Sequence, residues 1–243
     1  MIRLDKFLAE MGVGTRSQVK QFLKKRMVAV NGKTDCRPEQ KIDPQTDTVC
    51  FEGKPIVYAA YEYYMLYKPA GCVSAVSDDR HPTVLDYIES VRSDLFPVGR
   101  LDLDTEGLLL ITNDGTLSHR LLSPAHHVPK TYYVKAAGKV AQSDADWCER
   151  GIDIGDDKHT RPAKMKILTA QADSELLLTV TEGRYHQIKR MCAALGHPVL
   201  YLKRISFGPL ALDPSLRPGQ YRALTQEEIN ELQQMSIGLH IED

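Results

Sequence analysis

The sequence predicts an α+β protein in two parts: a small helix-helix-strand module at the front and a larger part built on a mainly antiparallel mixed sheet. Three observations carry that reading. Strand-like runs outnumber helical patterns after residue 60. The gaps between them are of hairpin length rather than the regular βαβ spacing a parallel sheet requires. Charge is also unevenly divided, because residues 1–54 hold eleven Lys/Arg against seven Asp/Glu within a chain of net charge −1. A basic head on a mildly acidic body points to a polyanionic partner. At 243 residues with 42% hydrophobic content, the chain has material for both cores. The parts are expected at 1–57 and 58–234, with 235–243 as a loose tail.

In the head, Leu4, Phe7, Leu8 and Met11 fall at helical spacing, and Gly12 and Gly14 end the helix. Thr15 and Gln18 form a capping box for a second helix carrying Val19, Phe22 and Leu23. Arg16, Lys20 and Lys24 recur every four residues and share one face, with Lys25 adjacent. MVAVNGKT then reads as a hairpin strand closed by Asn31-Gly32, a pair that accepts positive φ. FEGKPIVYAAYE follows as a linker in which Pro55 interrupts the β pattern.

The larger part offers the strands YYMLYKP, GLLLIT, KTYYVKAAG, KMKIL and ELLLTVTEG. Its helical patterns are TVLDYIESV, SDADWCERG, HQIKRMCAALG and a last one opened by the capping box Thr225 to Glu228. Five cysteines are scattered without a C-x-x-C pair, which argues against disulfides or a zinc knuckle and for a reducing cytoplasm. The opening MIRLDKFLAEM is too charged for a signal peptide, and no uncharged run is long enough for a bilayer, so no membrane partner is expected. There is no G-x-G-x-x-G and no P-loop, so no nucleotide cofactor is expected.

Chemistry concentrates in GRLDLDTEGLLLITNDG, where Asp102, Asp104 and Glu106 alternate. The spacing imitates a calcium loop, but the twelfth position is Asn113 where a bidentate Glu is required. His126 and His127 lack a third ligand at metal spacing, so no metal is expected. HHVPKTYYV puts Lys130 on a strand with Tyr132 and Tyr133 on opposite faces. TEGRYHQIKRM ends a strand at a glycine and opens a helix bearing Arg184, Lys189 and Arg190, which reads as an anion site. YKPAGCV is a strand stopped by a turn, which needs no function of its own. A carboxylate, several cations and an aromatic surface suffice to hold an extruded nucleotide and attack it without a metal.

RLDKFLAEMG and TRSQVKQFLKKRMVAVNG resemble the ribosomal-protein S-four-type RNA-binding domain, which implies a phosphate-reading surface along Arg16, Lys20, Lys24 and Lys25. GRLDLDTEGLLLITNDG, with KPAG, KTYYV and EGRYHQIKRM in the same order, resembles the RsuA branch of the pseudouridine synthases over essentially the whole chain. That resemblance implies a synthase domain with a central RNA-binding cleft and no cofactor. It also implies isomerisation of one uridine in ribosomal RNA, taken from the small subunit or its assembly intermediate, by a monomer. Carried over position by position, Asp102 is the catalytic aspartate of G-R-L-D, Tyr132 the stacking ring of K-x-Y, and Lys189 the basic residue that pairs with that aspartate. Arg100, Lys130, Arg184 and Arg190 become RNA contacts. Asp104 and Thr105 are read as fixing the loop by side-chain to backbone hydrogen bonds, with Glu106 part of that loop. Tyr67 and Ala125 depart from the family's usual Asn and basic residue, which bears on the choice of uridine. Two rivals remain: a glycosidic hydrolase pairing Asp102 with Asp104 or Glu106, and a non-catalytic RNA-binding factor of ribosome assembly.

Overall fold

The computed structural model describes residues 1–58, 60–90 and 92–238, with side chains through 235. It forms two compact units: Met1–Glu62 with Glu89–Leu95, and Tyr63–Ile88 with the chain from Phe96 onward.

The first unit runs β1 (Ile2–Arg3), α1 (Leu4–Glu10), α2 (Arg16–Lys24), β2 (Val28–Val30), β3 (Lys41–Ile42), β4 (Val49–Phe51) and β5 (Lys54–Pro55). Leu4, Phe7 and Leu8 of α1 pack on Val19 and Leu23 of α2 and on Val28 and Val49, a single apolar cluster. Each such side chain contributes about 1.5–3 kcal/mol on burial. The capping box forms as read: Thr15 N donates to Gln18 Oε1 at 2.8 Å, and Gln18 N donates to Thr15 Oγ1 at 3.3 Å. Asn31 and Gly32 do take positive φ, but the hairpin closes after one bridge, Val30 to Lys33, and the ladder partner of β2 is β4. The reason is the Asn31 side chain, which donates to Asp47 Oδ1 at 2.8 Å and accepts from Thr48 N at 2.9 Å, fastening the turn to the segment entering β4.

The expected linker is partly structured too. Glu52 and Gly53 take positive φ and turn β4 into β5, whose Pro55 sits on an edge where no partner needs its missing N–H. TVLDYIESV yields only a four-residue 3₁₀ turn, Val84–Tyr87, and Ile88 is already extended at φ −111°. Tertiary anchoring overrides the helical pattern here: Glu89–Leu95 belongs to the first unit, where buried Arg92 pairs with Asp94 at 2.5 Å and Glu10 at 3.4 Å.

The second unit contains β6 (Tyr63–Lys68), β7 (Phe96–Pro97), β8 (Glu106–Thr112), α3 (Gly115–Leu122), β9 (Lys130–Ala137) and α4 (Gln142–Arg150). It continues with β10 (Lys164–Ala170), β11 (Asp173–Val180), α5 (Gln187–Ala194), β12 (Val199–Phe207), β13 (Leu210–Ala211), β14 (Tyr221–Ala223) and α6 (Gln226–Gly238). The sheet order is β10-β11-β9-β12-β8-β6-β14, with β7 beside β8 and β13 beside β12. Every described pairing in it is antiparallel except β12 with β8, so the sheet is mixed and mainly antiparallel, as expected.

Leu108 and Leu110 of β8 join Leu117 and Leu121 of α3 and Leu232 of α6 in one core. Among the longer elements, two were not foreseen. β12 is central, yet Lys203 and Arg204 disguise its alternation, and α3 is opened by Asp114, which accepts from Leu117 N at 2.9 Å. The final helix runs to Gly238, so residues 235–238 are helical rather than tail, while 239–243 lie outside the described residues. Among the described residues no helix is long and apolar enough to cross a membrane.

Candidate active site

A cleft of about 980 Å³ opens in the second unit, lined by the 99–105 loop, by Lys130 and Tyr132 of β9, by residues 180–189 and by Arg204 of β12. Its loop is built from the turn that follows β6. Lys68 is 0% exposed, and its Nζ donates to Pro69 O at 2.9 Å, Thr105 O at 2.9 Å and Leu103 O at 3.4 Å. Burial pushes the Lys68 pKa down, with neighbouring acids opposing that effect. Gly71 N adds a bond to Leu103 O at 2.8 Å, and the Ser74 hydroxyl both donates to Leu101 O and accepts from Leu101 N. The YKPAG turn therefore has a positioning task that its own residues do not announce: it holds the chain after Asp102, while Ser74 holds Leu101 before it. Lys68→Met is expected to leave those carbonyls unpaired, at about 1–3 kcal/mol each in the worst case. Differential scanning calorimetry should record a lower midpoint, and activity should fall about 10²-fold as the loop shifts.

Asp102 faces the first turn of α5. Lys189 Nζ lies 3.2 Å from Asp102 Oδ2 and His186 Nε2 lies 3.6 Å from Asp102 Oδ1. Lys189 Nζ is closer still to Asp104 Oδ1, at 2.6 Å. Burial would lower the Lys189 pKa, but the bonds to Asp104 and Asp102 outweigh it and raise the pKa, so the ammonium stays charged. The Lys189 hydrogen bond also holds the Asp104 carboxyl below its usual range.

The loop readings need correction. Asp104 is the second acid of the Lys189 pair rather than a backbone brace. Thr105 Oγ1 is buried with no hydrogen-bond partner. Glu106 opens β8 and accepts from Tyr201 OH at 2.8 Å and Tyr67 OH at 3.3 Å, and none of these three lines the cleft.

Tyr132 is buried on the cleft side of β9, while Tyr133 takes the other face with its ring 6.1 Å from that of Tyr201, as the alternation requires. Lys130 differs from a surface RNA contact. It is 9% exposed, its Nζ donates to Val128 O at 2.8 Å, and burial, then the Arg204 charge, push its pKa down to about 8. Because that value lies below the ordinary 10.5, the unfolded chain binds the proton more tightly between the two. Stability should therefore rise with pH through that window. Comparing melting temperatures of wild type and Lys130→Met from about pH 7.5 to 9.5 isolates the contribution of this lysine; parallel curves would remove the assignment.

Arg184 and Arg190 donate within the protein. Arg184 reaches Glu182 Oε2 at 3.1 Å, Lys158 O at 2.6 Å and His159 O at 2.7 Å; Arg190 reaches Asp156 Oδ1 at 2.5 Å and Ile154 O at 3.0 Å. Both tie down the 154–159 loop, and Arg184 N donates to Gln187 Oε1, so the expected anion site is partly occupied by its own chain. Arg100 is exposed at the cleft, and Arg16, Lys20, Lys24 and Lys25 are exposed along α2 of the other unit.

Sequence reasoning missed His186 and Arg204. His186 stands at φ +47° before α5, stacked on Tyr185 at 3.8 Å. Its place beside three cations in TEGRYHQIKRM was the available signal. Among the described residues no cluster of three or more His, Cys, Asp or Glu is arranged to hold a metal ion.

Residues 62–194 match the RNA pseudouridylate synthase family, and residues 2–45 match the S4 domain. The chain is 46% identical over 232 residues to the uncharacterized RNA pseudouridine synthase YtzG of Bacillus subtilis, covering 94% of this chain and 97% of that one. It is 44% identical over 231 residues to ribosomal small subunit pseudouridine synthase A of Pasteurella multocida, covering 94% and 98%, and 41% identical to that of Escherichia coli over the same shares. A crystal structure of a pseudouridylate synthase aligns with a TM-score of 0.67 at 41% identity, covering 96% of this chain and 100% of the other. Similarity at this level across almost the full length of both chains makes this protein a member of the RNA pseudouridylate synthase family, an isomerase acting on RNA.

Proposed function

We propose that the protein converts one uridine of small-subunit ribosomal RNA to pseudouridine, acting as a cytoplasmic monomer with Asp102 as the reacting carboxylate. The observation that carries the reading is the Asp102–Lys189 pair at 3.2 Å, set in the cleft that Tyr132 also lines. Relatives named for the ribosomal small subunit support the choice of RNA. The extruded uracil stacks on Tyr132, worth about 1–3 kcal/mol. Lys189 pairs with Asp102, and Asp102 attacks the sugar or takes a proton from it as the glycosidic bond breaks. The freed base turns and rejoins through a ring carbon, with no atom gained or lost. Mapping pseudouridines in ribosomal RNA from cells with and without the protein should show one position lost; an unchanged map sinks the ribosomal target. Release of free uracil would instead favour a hydrolase, whose two carboxylates must sit apart on opposite faces of a sugar. Asp102 and Asp104 share one lysine, which is the wrong arrangement for that.

The α2 face supports binding rather than chemistry. Replacing Lys20 and Lys24 together by Gln is expected to weaken RNA affinity and to lower the salt slope by about 0.7–0.9 for each phosphate no longer neutralised. The turnover rate at saturating RNA should stay at the wild-type value. A slower turnover with unchanged affinity would contradict the assignment.

A further inference from the structure

Two buried cations of the cleft have no part in the uridine chemistry described so far. Arg204 is the cross-strand partner of Tyr132, and Lys130, two residues from Tyr132 on the same face, is the partner of Phe207. Arg204 is 2% exposed; its Nε donates to Leu108 O at 2.7 Å, but its Nη2 has no hydrogen-bond partner. Lys130 uses one donor on Val128 O. The two head groups lie 5.5 Å and 5.3 Å from the same Phe207 ring, and among the described residues neither is in an ion pair with a carboxylate. Buried charge is ordinarily paired, and a buried donor ordinarily bonded. Among the described residues the only buried side-chain atoms without a partner are Arg204 Nη2 and Thr105 Oγ1, and both residues line this cleft.

Arg204, paired across the strands with Tyr132 and lining the same cleft, is placed beside a ring stacked on Tyr132. When the bond between C1′ and N1 breaks, its electron pair stays with the base and spreads over N1 and the carbonyl oxygens. We propose that Arg204, supported by Lys130, binds a carbonyl oxygen of the extruded pyrimidine and stabilises the negative charge the base holds while it is detached. The pair is returned to the sugar when C5 bonds to C1′ and the acid's bond, or the proton it took, is given back; C5 then loses its proton and N1 gains one. Arg204 is thus a catalytic residue of the oxyanion-binding type, donating where charge develops rather than where it already sits. The inference rests on the uridine reading of the site. A backbone phosphate offers the same anionic oxygen, but it is charged throughout and rides outside on the chain, whereas these donors lie in the floor beside the stacking ring.

The full chain is assayed on a small-subunit ribosomal RNA transcript carrying uridine tritiated at C5, reading both affinity against salt and single-turnover tritium release. Wild type and Asp102→Asn test the underlying reading, and no release by wild type overturns it and this inference together. With wild type active, Arg204→Gln should slow release about 10²-fold with affinity nearly unchanged, and Arg204→Lys should recover about tenfold of the loss. Lys130→Met should slow release about tenfold. Weaker binding and a shallower salt slope with an unchanged rate at saturation would make the pair a phosphate site and overturn the proposal. Equal slowing in the Gln and Lys variants with a lowered melting temperature would reduce Arg204 to a structural residue. Should Arg204→Gln fail to fold, Lys130→Met decides: a full rate at saturation overturns the proposal.

Discussion

Asp102→Asn is expected to lose about 10⁴-fold in product formation while folding and RNA binding survive. The amide keeps the shape of the carboxylate but offers neither a nucleophile nor a base. The usual objection to removing one member of an ion pair is that the other is left buried and uncompensated, at a cost of several kcal/mol. Here it does not apply, because Lys189 retains Asp104 at 2.6 Å. The variant should therefore melt close to wild type, and single-turnover assays with a parallel filter-binding titration separate the two effects. Retained product would remove Asp102 from the chemistry. Loss of binding in step with loss of product would make the residue an RNA contact. Asp104→Asn gives the internal comparison: its side chain is well exposed and its partner keeps Asp102 at 3.2 Å, so only a modest loss is expected.

That Asp102, Tyr132 and Lys189 come together in one cleft was legible because a motif and a period-two strand are local facts. A strand's alternation alone places Tyr132 and Tyr133 on opposite faces. What the sequence concealed is non-local. The clamp at Lys68 needs acceptors 35 and 37 residues away, and backbone carbonyls have no letter in the sequence. The same blindness applies to Arg184 and Arg190, which looked like phosphate donors beside a glycine turn but meet carbonyls and carboxylates of the 154–159 loop. TVLDYIESV carried a helical pattern with a real capping bond, Thr83 N to Asp86 Oδ2 at 2.7 Å, and lost its helix to the anchoring of Arg92. Arg204 was hidden with its strand. Lys203 and Arg204 are adjacent in sequence but point to opposite faces, one half-buried between Tyr67 and Tyr133, the other into the cleft.

Gly107→Ala is expected to be strongly destabilising. Gly107 stands at φ +107°, where a side chain is strained, and a Cβ there would come within 2.2 Å of Arg204 O, 2.7 Å of Arg204 N and 2.9 Å of Arg204 C. These are backbone atoms of the neighbouring strand, so no side chain can swing away. Gly107 to Arg204 is one of the two registered pairs of β8 with β12, the parallel join that holds the β6–β14 side of the sheet to the β9–β11 side. Strain and overlap together should exceed about 4 kcal/mol, a large part of the 5–15 kcal/mol available to a folded domain. At roughly 2–4 °C per kcal/mol for a unit of this size, the melting temperature should fall by about 10 °C or more. Gly71→Ala separates the causes, since Gly71 also has positive φ, +88°, but open space where its Cβ would be. It should cost about 1–2 kcal/mol from backbone conformation alone. Equal melting temperatures for the two variants would show that the close approach of β8 to Arg204 is not what requires the glycine. A lower one for Gly107→Ala ties the glycine of T-E-G to the strand that sets Arg204 beside Tyr132.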